Sequence, residues 1–346
     1  MDTANKLLNI SDALVSISSF IYLLTMILYI FYAFFKNNYI GKIATFTGII
    51  GVLLHISSFA IRWLEFYKFM NVSILSAVPI TNLYESLMFF SMILVIVYII
   101  IEFKTKVKLI GIFAYGIAGF ILLLINVLDA SYQLNPLVPA LQSNWLLAHV
   151  SLSFVAYMCF TVSAFSALLY LILTVNSKKK ISYILYTFLL ALISSSIISA
   201  FIYSFIKFYD MVFVYTIMFI ILFIFFYIYG LSIKNIFSNM QINLDILETI
   251  IYKFIVIGFV LFTIGGLVFG AIWAETAWGN FWSWDPKETM SFITWLVYGV
   301  YLHGRLSLKW SKEMATSIAV IGFIVCMFTF LGVNLFLSGL HSYGQQ

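Results

Sequence analysis

From residue 12 to residue 338 the chain is built of long apolar stretches parted by short polar connections. Each stretch is long enough to cross about 30 Å of hydrocarbon as a helix. Ten spans are expected, near 12–35, 42–66, 82–103, 107–127, 145–174, 183–206, 211–233, 250–273, 288–306 and 314–338. The alternation of lipid-facing and lumen-facing residues that marks a barrel strand is missing, so the spans are read as helices, which close their backbone hydrogen bonds internally. Composition agrees: 64% of the 346 residues are hydrophobic and only 9% are charged, where a soluble domain carries about a quarter. The expected fold is all-α: one integral membrane domain, residues 1–346, forming a polytopic transmembrane helix bundle.

The net charge of +5 is a topology signal and not a nucleic-acid footprint. Lys36 and Lys42 fall in the first connection, Lys104, Lys106 and Lys108 in the third, and Lys178, Lys179 and Lys180 in the fifth. Lys234 and Lys253 bracket the seventh, and Arg305, Lys309 and Lys312 occupy the ninth, which puts 13 of the 18 basic residues on one face. The positive-inside rule therefore predicts both termini on the outer side. The same assignment sends 67–81, the Pro-bearing 128–145 and a Trp-rich loop at 273–287 outward. The start, MDTANKLLNISDALV, lacks a basic n-region and a small-residue cleavage site, so the first helix is expected to be retained. Cys159 and Cys326 sit alone in apolar runs and are read as small buried hydrophobes. Residues 183–233 carry no polar signature.

The chain has four histidines. His55 and His303 lie within spans 2 and 9, and His149 and His341 lie at the outer ends of spans 5 and 10. A lone membrane histidine often does no more than hydrogen-bond between helices. Polar groups in hydrocarbon are nonetheless costly enough to mark function. At about 1.5 Å per residue His55 lies roughly 16 Å, and His303 roughly 22 Å, below the outer ends of their spans, so the two fall at comparable depth. Two neutral imidazoles can take both axial positions of a haem iron. The outer pair, His149 and His341, allows the same at the surface.

Trp273, Trp278, Trp282 and Trp284 are half of the eight tryptophans, packed within 12 residues. An interfacial belt spreads its tryptophans over many helix ends; one crowded loop is better read as a platform for a planar macrocycle, with indole N–H groups left for a polar rim. Asp285, Pro286 and Glu288 match a capping box opening span 9, which fixes the loop above the membrane. Lys287 is the one cation of this loop. Arg62, near the outer end of span 2, is a weaker candidate, suited either to a propionate or to the headgroups.

With these residues in view, "WGNFWSWD" resembles the WGxxWxWD signature of the tryptophan-rich, haem-handling family of cytochrome c maturation proteins, and within it the CcsA/ResC type. "PITNLYESL", "NPLVPALQSNWLLAHV" and "SGLHSYG" support the likeness from about residue 55 to 344. The resemblance implies that His55 and His303 hold haem b inside the membrane. It implies that His149 and His341 ligate haem at the outer face, with Trp278, Trp282, Trp284 and Asp285 around the porphyrin. It also implies a multi-pass protein of the plasma or a thylakoid-type membrane and a membrane partner of the CcsB/ResB type. Together the two would form a cytochrome c synthase (haem lyase) that joins haem to the CxxCH of apocytochrome c. The chain has no CxxCH, so it is the holder and not the acceptor. Two other readings stay open: a haem exporter without ligase activity, and a b-type electron-transfer cytochrome.

Overall fold

The computed structural model describes residues 2–70, 74, 77–80, 82–127, 143–175, 178, 181–206, 211–238 and 242–333, with some side chains in these ranges left aside. The described residues form helices only: α1 Asp2–Phe35, α2 Asn38–Met70, α3 Leu83–Thr105, α4 Ile110–Val127, α5 Asn144–Thr174, α6 Ile181–Ile206 and α7 Met211–Ser238. Then come α8 Leu244–Leu261, a π-helical segment Phe262–Phe269, and α9 Gly270–Trp278, which run on as one rod. α10 Pro286–Leu306 and α11 Lys312–Met327, the latter continued by π-helical Phe328–Gly332, complete the fold. These make ten rods among the described residues. Seven are long and apolar enough to cross a membrane, and Ile110–Ile125 and Ile181–Ser195 are shorter apolar helices. The remaining rod, α10, carries Lys287, Glu288, His303 and Arg305 and is the most polar.

Local chemistry sets the ends. Asn82, Ser143, Asn243 and Ser311 cap the starts of α3, α5, α8 and α11 through side-chain oxygens that accept from backbone N–H groups. α1 stops at Lys36, whose φ of +53° breaks the helix, and Asn37 Oδ1 accepts from Tyr39 N to start the next.

α5 is the hub. Its spanning stretch is 94% buried, and it packs against the α8–α9 rod and α11. The reason is in its sequence: Ala156, Ser163, Ala164, Ser166 and Ala167 are small enough for neighbouring backbones to close on it. Three of its hydroxyls are satisfied within the helix, since Thr161, Ser166 and Thr174 donate back to the carbonyls of Tyr157, Val162 and Tyr170. α1 packs on α2 and α4 beside this core. α7 is the opposite extreme: only 6% of its spanning stretch is buried. At one end of the bundle Glu248 of α8 binds both Arg305 and Lys312, and Asp245 meets Lys312 at 3.2 Å. Those contacts tie the start of α8 to the end of α10 and the start of α11.

Candidate functional site

The site is built where α5 meets the π segment. A Cβ on Gly265 would lie 2.3 Å from Leu152 Cβ and 3.1 Å from the Leu152 carbonyl carbon, so only glycine lets the two backbones touch here. One turn before Leu152 stands His149. Its Nδ1 meets the carbonyl oxygen of Gly265 at 2.8 Å. A carbonyl only accepts, so Nδ1 carries the hydrogen and Nε2 is the lone-pair nitrogen. That is the orientation a metal-binding imidazole needs, with its ring fixed by an outer hydrogen bond. Trp273 of α9 lies nearly parallel to the imidazole, 6.0 Å between centroids and 9° between planes. Gly270 gives the ring its room, since a Cβ there would come within 2.9 Å of His149 Cε1.

Trp273 is buried in helix and is not part of the loop proper. The four tryptophans thus divide. Trp273 and Trp278 pair edge to face at 4.8 Å beside His149. Trp282 and Trp284 pair at 5.7 Å further on. Gly279 turns the chain between them at φ +76°, its N–H donating to the Glu275 carbonyl. Trp284 is 66% exposed and holds φ +60°, a conformation that costs a bulky residue about 1–3 kcal/mol. Neighbours hold it there. Thr289 Oγ1 donates to the Trp284 carbonyl at 3.1 Å. Glu288 Oε2 accepts from Ser283 N at 2.7 Å, from Ser283 Oγ at 3.1 Å and from Asp285 N at 3.3 Å.

The capping box expected from the sequence is present: Asp285 Oδ1 accepts from the N–H groups of Lys287 and Glu288. Glu288 does more than a cap requires, because it also closes the turn through Ser283. Trp282 Nε1 is buried and has no hydrogen-bond partner among the described residues, a donor of the kind a bound acceptor would complete. Lys287 lies half-buried at the base of the loop. Burial pushes its ammonium down to about 8, and the charge of Asp285 partly offsets this.

The intramembrane histidines are placed differently. His55 has no exposed surface; its Nδ1 meets Tyr22 Oη of α1 at 3.2 Å, and its Nε2 has no hydrogen-bond partner among the described residues. His303 is exposed, three residues from the end of α10. α2 packs chiefly on α1 and α3, and α10 chiefly on α11 and the π segment after α8. The helices are also longer than the expected spans. His55 now lies roughly 22 Å and His303 roughly 26 Å from the ends of their helices that lead to the connections expected outside. His341 and most of the 128–145 connection fall outside the described residues.

Arg62 proves to be neither a headgroup anchor nor open to a ligand. It is fully buried, donates through Nε and Nη2 to Glu85 Oε1 at 3.3 and 3.2 Å, and stacks on the Tyr84 ring at 4.6 Å. Glu275 is exposed, and its carbonyl accepts from Gly279 N at 2.8 Å. Sequence reasoning passed over Gly265, Gly270 and Ser283. The GG step at 265–266, within an otherwise apolar span, was the available signal.

Comparison with known proteins adds to this geometry. A family profile described as "Cytochrome C assembly protein" matches residues 80–341. The "Cytochrome c biogenesis protein CcsA" of Guillardia theta is 34% identical over 88% of this chain and 86% of its own length. That of Heterosigma akashiwo is 35% identical over 93% and 91%. That of Trichodesmium erythraeum is 34% identical over 98% and 99%. All the described elements of the site, from His149 to Glu288, lie inside the matched region, and the chain belongs to the cytochrome c assembly protein family, of the CcsA type.

Proposed function

We propose that this protein holds haem and presents it at the outer face for attachment to apocytochrome c. The observation that carries the reading is the fixed tautomer of His149: Gly265 takes its Nδ1 hydrogen and Trp273 backs its ring, which leaves Nε2 the coordinating nitrogen. Haem, as cargo, brings the iron and the vinyl groups to which cysteine thiols add. The chain's own residues orient it: His149 and His341 as axial ligands, Trp278, Trp282 and Trp284 against the macrocycle, and Asp285 through the cap that stiffens the loop.

His303 and His55 form the inner site of this reading. In the present packing Tyr22 holds His55 Nδ1 and the ring is enclosed, so the inner pair forms when the surrounding helices part to expose Nε2. All ten rods span, both termini and the Trp loop lie on the outer side, and the membrane is a plasma or thylakoid-type one. The distribution of lysine and arginine supports this. A CcsB/ResB-type protein completes the cytochrome c synthase.

The purified protein should carry non-covalent haem b with a bis-histidine absorption spectrum. One part should be lost in His149→Gly and another in His303→Gly; a spectrum indifferent to both substitutions would sink the reading. A pH dependence follows from Lys287. It is cationic below about 8 and loses its charge as pH rises through that value, so its attraction for a propionate fades above it. The His149-dependent haem should bind more weakly at pH 9 than at pH 7, and Lys287→Gln should flatten that profile in a haem titration.

A further inference from the structure

α10 runs from the Trp loop at Asp285 to His303 near its far end. Four rings line the way. Trp284 meets Phe292 edge-on at 6.2 Å. Phe292 stacks on Trp295 at 6.0 Å with 13° between planes, and Trp295 stacks on Phe259 of α8 at 5.4 Å with 23°.

Three features separate this ladder from ordinary lipid-facing aromatics. Interfacial tryptophans sit at headgroup level, but Trp295 lies nine residues into α10, about 14 Å along it. Its indole is also locked, since Nε1 donates to Thr263 Oγ1 of the π segment at 2.9 Å, and a fixed ring keeps the stack parallel. Below it the face opens at Gly299, where an added Cβ would meet nothing nearer than Phe259 at 3.8 Å. His303 comes four residues later. Residues 292, 299 and 303 share one face of the helix, because spacings of 7 and 11 return close to whole turns. The face is open to the surroundings: His303 is exposed, and so are Leu296 and Val300 beside it.

We propose that this face of α10 is the track along which a planar tetrapyrrole passes between His303 and the Trp loop. The flat molecule exchanges one stacked ring for the next, from the gap at Gly299 over Phe259, Trp295 and Phe292, and turns at the edge-on contact to reach Trp284. Stacking is available at every step, and no polar side chain on the ladder needs to be desolvated. The inference rests on the haem-holding reading above, but it concerns the route alone.

The test uses the full chain, purified with the haem it acquires in the cell, and divides that haem into the parts lost in His149→Gly and in His303→Gly backgrounds. Gly299→Trp puts a ring into the gap, where an added Cβ meets nothing nearer than the Phe259 ring at 3.8 Å. In it the His149-dependent part should fall about tenfold, while the His303-dependent part is kept. Trp295→Leu, which removes a ring instead of adding one, should do the same, and Trp295→Phe should restore delivery. Retention of His303-dependent haem shows that the variants fold. If both Gly299→Trp and Trp295→Leu load the outer site as the parent does, the track is wrong while the haem reading stands. If the parent itself carries no haem that depends on either histidine, the haem reading fails, and the track with it.

Discussion

Gly270→Val is expected to strip the outer site of its ligand without touching any histidine. A Cβ at 270 would lie 2.9 Å from His149 Cε1, closer than real Cβ contacts come, and 3.0 Å from Nδ1. The imidazole must swing away, and with it goes the hydrogen bond to Gly265 that fixes the tautomer. Loss of such an outer-shell partner typically costs about 10–100-fold in affinity, and that is the drop expected for His149-dependent haem in a spectroscopic titration. His303-dependent haem should be unaffected, since His303 stands near the end of α10 far from the Trp loop. An unchanged titration would mean that His149 takes no part in binding.

The second large effect is on stability. Arg62 and Glu85 form an ion pair with no exposed surface on either side chain. Arg62→Ala leaves the Glu85 carboxylate buried without its guanidinium and also removes the cation stacked on Tyr84. Breaking a buried pair from one side costs about 3–5 kcal/mol. Replacing both partners, as in Arg62→Met/Glu85→Leu, should come out close to the parent, because the desolvation of two charges goes with them. Thermal unfolding in detergent separates the cases. A single variant as stable as the parent would show that the pair is not desolvated in the membrane.

The helices were legible because hydrocarbon leaves the backbone no alternative, and a run of twenty apolar residues has one use. The cap at Asp285 was legible for a similar reason, since its chemistry is local and Pro286 and Glu288 are in register with it. What escaped is whatever depends on a second helix. That His149 would meet Gly265, 116 residues later, cannot be read from either stretch alone. The π segment is also invisible to periodicity, because one extra residue in a turn leaves an apolar run just as apolar. The crowding of Trp273 with the other three tryptophans suggested a single platform, yet helix geometry buries Trp273 and gives it to His149. Depth along a span was likewise a poor guide to partners. His55 and His303 lie at similar depths, but one is enclosed against Tyr22 and the other is exposed.

The central claim, that outer histidines present haem for attachment, is tested most directly in cells that also make the CcsB/ResB-type partner and a reporter apocytochrome with one CxxCH. Haem that survives on the reporter in a denaturing gel is covalent and can be compared between the parent and the His149→Gly/His341→Gly variant. Covalent haem should vanish in the variant while a His303-dependent absorption remains in the purified complex. Covalent haem formed undiminished would contradict the account and favour an electron-transfer cytochrome. Haem reaching the reporter only after ligation by another protein, with the variant blocked solely in supply, would mark the chain as an exporter.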